Sequence, residues 1–245
     1  MTVAGQRVRI VVRETPNKPA KRCGFHEDAV ARDEYEQLRE FSPSVVEEIR
    51  EEDDDVELND ELPEADEEEN EEMRALTFDE LARLNQDFIG WINVNNLIDY
   101  PVVRGRDNSR YINTTFTGGR NTAGAIFMDY RHANGFDEPV SILYGHYTRD
   151  GSMFSPLVQY LDSAFLQRNP NITITTRDGR KLSYRIFAAT LTDAWDVAYT
   201  IGVSESERAA EVFPGAPENA SSFLLMSTCT RSSDVDERIL VFAAR

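Results

Sequence analysis

The stretch "NITITTRDGRKLSYRIFAAT", residues 171–190, holds two runs of alternating apolar and polar residues separated by Asp178-Gly179. Side chains on a strand point alternately to opposite faces, so this period belongs to strand rather than helix. An Asp-Gly pair supplies the backbone that a tight reversal needs, and the segment predicts a β-hairpin. Similar short runs lie on both sides of it. Downstream are "SSFLLMSTC" (221–229) and "RILVFAA" (238–244); upstream are "WINV" (91–94), "YPVVRG" (100–105), "YINTTF" (111–116), "GAIFMDY" (124–130) and "PVSILYGH" (139–146). Gly, Asn, Asp and Pro punctuate them. Two helical inserts interrupt the series, "SPLVQYLDSAFLQ" (155–167) and "SESERAAEVF" (204–213). Seven or eight strands with few helices predict a mostly-β fold, a closed or nearly closed barrel, because closure removes exposed strand edges.

The compact region begins near Met73, with an N-terminal helix. Thr77 and Glu80 have the spacing of a capping box, and Leu81, Leu84 and Phe88 fall on one helical face. Before it the composition changes. Residues 27–72 contain 23 Asp or Glu against 3 Arg, whereas the rest of the chain carries 21 acidic and 23 basic residues, so the net charge of −18 belongs to this one segment. It reads as a solvated, disordered linker, with a weak amphipathic helix between Ala29 and Arg50, interrupted around Pro43; a docking helix is the alternative, a marginal exposed one the preferred reading. Residues 1–26 include a short strand-like run, "QRVRIVVRE", and suggest no function. The chain thus divides into 1–26, a linker over 27–72, and a folded domain over 73–245.

Several classes are excluded. No run approaches the roughly 20 apolar residues of a membrane-spanning helix, and the first thirty residues lack a signal-peptide core. Two cysteines, Cys23 and Cys229, cannot build a disulfide framework. There is no CxxC, HExxH, GxxxxGK[ST] or GxGxxG motif, which removes the commonest zinc, P-loop and dinucleotide readings. Nothing points to a metal, another cofactor or nucleic acid.

Three chemically capable residues stand at predicted strand mouths: His146, Cys229 and Arg238. His146 and Cys229 are 83 positions apart, but a barrel can bring both to one rim. A thiol with a pKa near 8.5 is only slightly ionised at neutral pH, and a neighbouring cation favours the thiolate. An imidazole can protonate a departing amine, and an arginine can stabilise an oxyanion. Read singly, each residue has an ordinary structural explanation: a small buried hydrophobe, a hydrogen bonder, a surface ion pair. Histidine before cysteine excludes the papain order, and the chain lacks the caspase signature.

Tyr144-Gly145-His146, Ser227-Thr228-Cys229 and an arginine opening the last strand resemble the motifs of class B sortases. So do "GWINVNNLIDYPVVRGRDNSRYINTTFTG" (90–118) and "YGHYTRDGSMFSPLVQYLD" (144–162), and the resemblance covers residues 77–245. It implies a closed sortase-type barrel of about eight strands with an N-terminal helix and helical inserts, residues 193–220 occupying the place of the long insert before the cysteine strand. It also implies a monomeric cysteine transpeptidase at the extracytoplasmic face of a Gram-positive cell. Such an enzyme cuts a sorting signal after threonine, holds the acyl group as a thioester, and passes it to an amine of peptidoglycan or a pilin lysine. By position, Cys229 is the nucleophile, His146 the acid and base, and Arg238 the oxyanion stabiliser or peptide positioner. Thr228 shapes the threonine groove, and Tyr147 stands where class B members commonly have Asn. The family usually carries a membrane anchor, which this chain lacks. A peptide-binding module without catalysis, and a peptidase that only hydrolyses, are the alternatives.

Overall fold

The computed structural model describes residues 29–39, 41–43, 78–199, 213 and 215–245. Helices α1 (Ala29–Arg39) and α2 (Phe78–Leu84) precede strands β1 (Phe88–Val94), β2 (Ile98–Val103), β3 (Ile126–Met128) and β4 (Val140–Tyr144). Helix α3 (Ser163–Arg168) leads into β5 (Asn171–Thr176), β6 (Lys181–Asp193), β7 (Phe223–Cys229) and β8 (Glu237–Ala244). The strands close into a barrel in the order β1-β2-β3-β4-β7-β8-β6-β5, β5 pairing back onto β1.

The 171–190 segment forms the expected hairpin, with Thr175 opposite Lys181. Its reversal uses Gly179 at φ 85°, and Thr176 N–H donates to the Arg180 carbonyl at 2.9 Å. "YINTTF" is not a strand. Arg110–Ile112 form a 3-10 turn instead, because Tyr111 is drawn fully inward to share hydrogen bonds with Asn85 and Asp87. The insert at 155–167 splits into a 3-10 helix, Ser155–Leu161, and α3, whose first turn Asp162 caps by accepting from Ala164 N–H at 2.8 Å. Of the 204–213 insert only Phe213 is described, and Thr77 of the capping box lies outside the described residues.

β7 and β8 are buried almost end to end because apolar layers cover both of their faces. Leu224, Met226, Ile239, Val241 and Ala243 join the barrel interior. Alternate residues Leu225, Leu240, Phe242 and Ala244 join a second cluster outside it, with Ile142, Ala198 and Phe213. A strand packed on both sides reads as a continuous apolar run, which explains "FLLM" and "ILVFAA".

The expected exposed helix near Ala29 is instead docked. Ala31, Tyr35 and Leu38 recur at spacings of four and three, all are buried, and they face β2 and the loop after it. Burying side chains of this size stabilises by about 1.5–3 kcal/mol each. Glu34 accepts from Thr117 N–H at 2.9 Å, and Ser42 donates to Asp99 at 3.0 Å. The first part of the 27–72 segment therefore packs on the barrel. Residues 1–28 and 44–77 lie outside the described residues.

Candidate active site

β4 and β7 run parallel with Tyr144 beside Ser227, and β7 and β8 run antiparallel with Cys229 opposite Arg238. His146 and Cys229 each follow the Tyr144–Ser227 pair by two residues, so the three residues named from the sequence end neighbouring strands at one rim. Adjacent strands lie about 4.8 Å apart, which sets the scale of the cluster. Side-chain parity orients it. Cys229 alternates in step with Ser227 and Leu225, and Arg238 with Leu240, so both belong to the face outside the barrel interior.

Gly145 sets the approach to His146. A Cβ there would stand 2.6 Å from Cγ of Phe154 and 2.7 Å from its Cδ2, so the ring of a fully buried residue occupies the space a side chain would need. Phe154 N–H donates to the His146 carbonyl at 3.0 Å, and Gly145 N–H donates to the Ser227 carbonyl at 3.2 Å. The imidazole is held by Nε2 against the Ile112 carbonyl at 2.6 Å. A carbonyl only accepts, so Nε2 carries hydrogen. Burial pulls the imidazole below its ordinary value of 6.5, and the Ile112 contact partly opposes that pull.

Arg238 is buried, and its Nη1 donates to the carbonyls of Val235 at 2.8 Å and Glu237 at 2.9 Å. Thr230 donates to Glu237 at 2.7 Å, tying the segment after the cysteine to the start of β8. Cys229 is partly exposed but is not a free thiol: its sulfur is in a disulfide. The one other cysteine of the sequence, Cys23, lies outside the described residues. Nucleophilic chemistry at this sulfur requires reduction first, since the thiolate is the reactive species.

The remaining two candidates separate. Tyr147 is at the rim, bridged to Met153, with the Arg231 guanidinium 5.3 Å from its ring centre. Thr228 points the other way. It is 2 % exposed, lies opposite Ile239 on the interior side, and its hydroxyl has no hydrogen-bond partner among the described residues. It does not share the face on which Cys229 stands.

Residues given no role from the sequence complete that face. Tyr144 and Tyr199 stack at 6.2 Å, and Tyr199 shares a 2.7 Å hydrogen bond with Ser227. Burial pushes the Tyr199 hydroxyl up to about 12, with Ser227 and Arg238 opposing, so it stays neutral. Behind them the fully buried carboxylate of Asp129 accepts from Arg131, Asn108 and the Tyr144 hydroxyl. Burial alone would raise the Asp129 pKa, but the Arg131 hydrogen bonds, joined by that from Asn108, hold it below the usual carboxylate value. Strand parity alone marks Ser227, two residues before Cys229; Tyr199 and Asp129 carry no such signal.

A sortase-domain family model matches residues 92–245. Sortase B of Listeria monocytogenes is 40% identical over 95 residues, 38% of this chain and 39% of that protein. Sortase B of Staphylococcus aureus is 33% identical over 120 residues, 49% of each. The chain thus aligns with less than half the length of either curated relative. Among solved structures, Clostridium perfringens sortase B superposes with a TM-score of 0.61 at 26% identity, covering 68% of this chain and 97% of the other. With the domain match spanning most of the chain and the barrel closed in this strand order, the chain belongs to the sortase family, its relatives being of class B.

Proposed function

We propose that this chain, with Cys229 reduced, is a cysteine transpeptidase acting on a C-terminal sorting signal of secreted proteins. The observation that carries the reading is the direct pairing of Cys229 on β7 with Arg238 on β8, β7 lying beside β4, whose end His146 follows by two residues. The Cys229 thiol first gives its proton to the neutral imidazole of His146; the thiolate then attacks the carbonyl carbon on the C-terminal side of a threonine, and negative charge forms on its oxygen. Arg238 faces the same side as the sulfur and offers a permanent cation to that charge. The C–N bond then breaks as His146 gives its proton to the departing amine, leaving a thioester on Cys229. An incoming amine, from peptidoglycan or a pilin lysine, attacks the thioester carbonyl. His146 takes the proton from that amine, and the thiolate leaves. Tyr147, beside Arg231 at the rim, is the residue we assign to contact with the peptide.

A solved complex of Staphylococcus aureus sortase B with its substrate shares this fold, with a TM-score of 0.68 over 89% of this chain. On this reading the work is done outside a Gram-positive cell and by a monomer, as the resemblance to class B sortases implies. No helix among the described residues is long and apolar enough to cross a membrane. The test is adduct formation. Reduced protein incubated with sorting-signal peptides is expected to gain the mass of the acyl fragment on Cys229, and Cys229→Ala to gain none. Release of hydrolysed peptide at a rate indifferent to added amine would make the protein a peptidase, and full cleavage by Cys229→Ala would remove the thiol from the mechanism.

A further inference from the structure

Helix α1 is separated from β1 by about fifty residues of sequence, yet it reaches both loops that hold His146, the β2–β3 crossover directly and the 147–153 loop through Tyr100. We infer that α1 is a positioning element for His146, Tyr35 setting the imidazole through the β2–β3 crossover and Arg39 setting its backbone through the 147–153 loop. The inference rests on the proposed catalytic role of His146.

The first route runs through three contacts. The Tyr35 hydroxyl donates to the Gly124 carbonyl at 2.7 Å and accepts from Phe116 N–H at 3.2 Å, pinning the two ends of one loop. Gly124 lies flat against the carbonyls of the 3-10 turn: a Cβ on it would stand 2.4 Å from the Tyr111 oxygen and 2.7 Å from the Ile112 oxygen, at φ 60°. Only glycine fits there without moving those oxygens. The Ile112 oxygen is the one that meets Nε2 of His146. Placement of the Gly124 backbone by Tyr35 therefore fixes the acceptor of the imidazole. Tyr35 is buried, which holds its hydroxyl far above the ordinary tyrosine value, so it remains a donor throughout the working range.

The second route runs through Tyr100. Arg39 donates from Nη2 to the Tyr100 hydroxyl at 3.1 Å, its guanidinium lying 5.2 Å from the ring centre. The same hydroxyl accepts from Met153 N–H at 3.3 Å. Met153 has φ 54°, a left-handed conformation that a non-glycine residue holds only when its surroundings insist on it. The next amide, of Phe154, donates to the His146 carbonyl. The two routes meet on the helix side, where the Tyr35 and Tyr100 rings pack edge to face at 5.3 Å. Simple docking of α1 requires only the apolar contacts of Ala31 and Leu38; the polar contacts go to the crossover and to Tyr100, which holds the 147–153 loop.

Tyr35→Phe separates packing from positioning, because it keeps the ring and removes only the hydroxyl. In the full-length reduced protein three quantities are measured: the His146 titration midpoint by NMR, the rate of thioester formation, and the thermal midpoint. In the wild-type protein the midpoint is expected below 6.5, burial outweighing the Ile112 bond. In Tyr35→Phe it moves lower still, since the hydrogen bond that favours the charged form is loosened, and kcat/KM falls about tenfold, the cost of about 1.4 kcal/mol. Arg39→Met, which keeps the apolar stem, is expected to slow thioester formation, and Arg39→Lys to recover part of the loss. A lower thermal midpoint with the His146 titration and both rates unchanged overturns the inference. The titration needs no substrate, so the inference can fail or hold even where no thioester forms on the wild-type protein.

Discussion

Gly145→Ala introduces one methyl group where the structure holds an aromatic ring. The new Cβ would sit 2.6 Å from Cγ, 2.7 Å from Cδ2 and 3.1 Å from Cβ of Phe154. Ordinary carbon contacts are about 3.5–4.0 Å, so the overlap is about 1 Å. Phe154 is fully buried and its amide is tied to the His146 carbonyl, so the ring cannot withdraw without dragging the histidine's own backbone. Overpacking of this kind costs about 1–3 kcal/mol, and each kcal/mol lowers the thermal midpoint by about 2–4 °C in a chain of this size. The effect on chemistry is larger, because a displacement of about 1 Å at a catalytic group can cost about 100-fold in rate. The double variant Gly145→Ala/Phe154→Leu frees part of that space and is expected to recover stability and thioester formation together. Denaturant titration and acyl-adduct kinetics on the two single variants and the double give the coupling energy, expected at about 1–2 kcal/mol in favour of the double. Strictly additive losses, or a Gly145→Ala protein that matches the wild type in both assays, would refute the steric argument.

Thr228→Val replaces a buried hydroxyl that lacks a partner among the described residues with a methyl group of the same shape. It is expected to raise stability by about 1 kcal/mol in urea titration and leave thioester formation intact; a tenfold loss of rate would return Thr228 to the peptide groove. The disulfide at Cys229 predicts that protein kept oxidised neither cleaves sorting peptides nor reacts with iodoacetamide at that sulfur, and that a dithiol reductant restores both. Cys23→Ser, which removes the only other cysteine, is expected to be active without reductant. Equal activity of oxidised and reduced wild-type protein would show that the bond has no bearing on catalysis.

The barrel was legible because its strands are short, alternating or doubly buried, and separated by turn residues; the 171–190 hairpin needed nothing beyond its own letters. The sequence placed His146, Cys229 and Arg238 at strand mouths, and the register brings them to adjacent strands. "YINTTF" misled because its β-type composition serves a buried Tyr111 in a 3-10 turn, where hydrogen bonds to Asn85 and Asp87 outweigh strand propensity. Helix α1 looked marginal because acidic composition dominates the segment, while burial is decided by three residues, Ala31, Tyr35 and Leu38. Adjacency to Cys229 along the chain points to Thr228, but neighbours along a strand face opposite ways, and it is Ser227 that shares the face of Cys229. The Ile112 carbonyl is a backbone atom 34 residues from His146, and no side-chain pattern announces it.

The double burial of β7 and β8 has a bearing on how such a protein can change. A strand clamped between two apolar layers tolerates few substitutions, whereas the 104–125 crossover and the 147–153 loop are open to revision at their outer edges. Descendants of this scaffold can therefore rewrite the loops while the sulfur and guanidinium stay where the floor puts them. Such lineages should drift apart fastest at the rim and slowest in the two central ribbons beneath it.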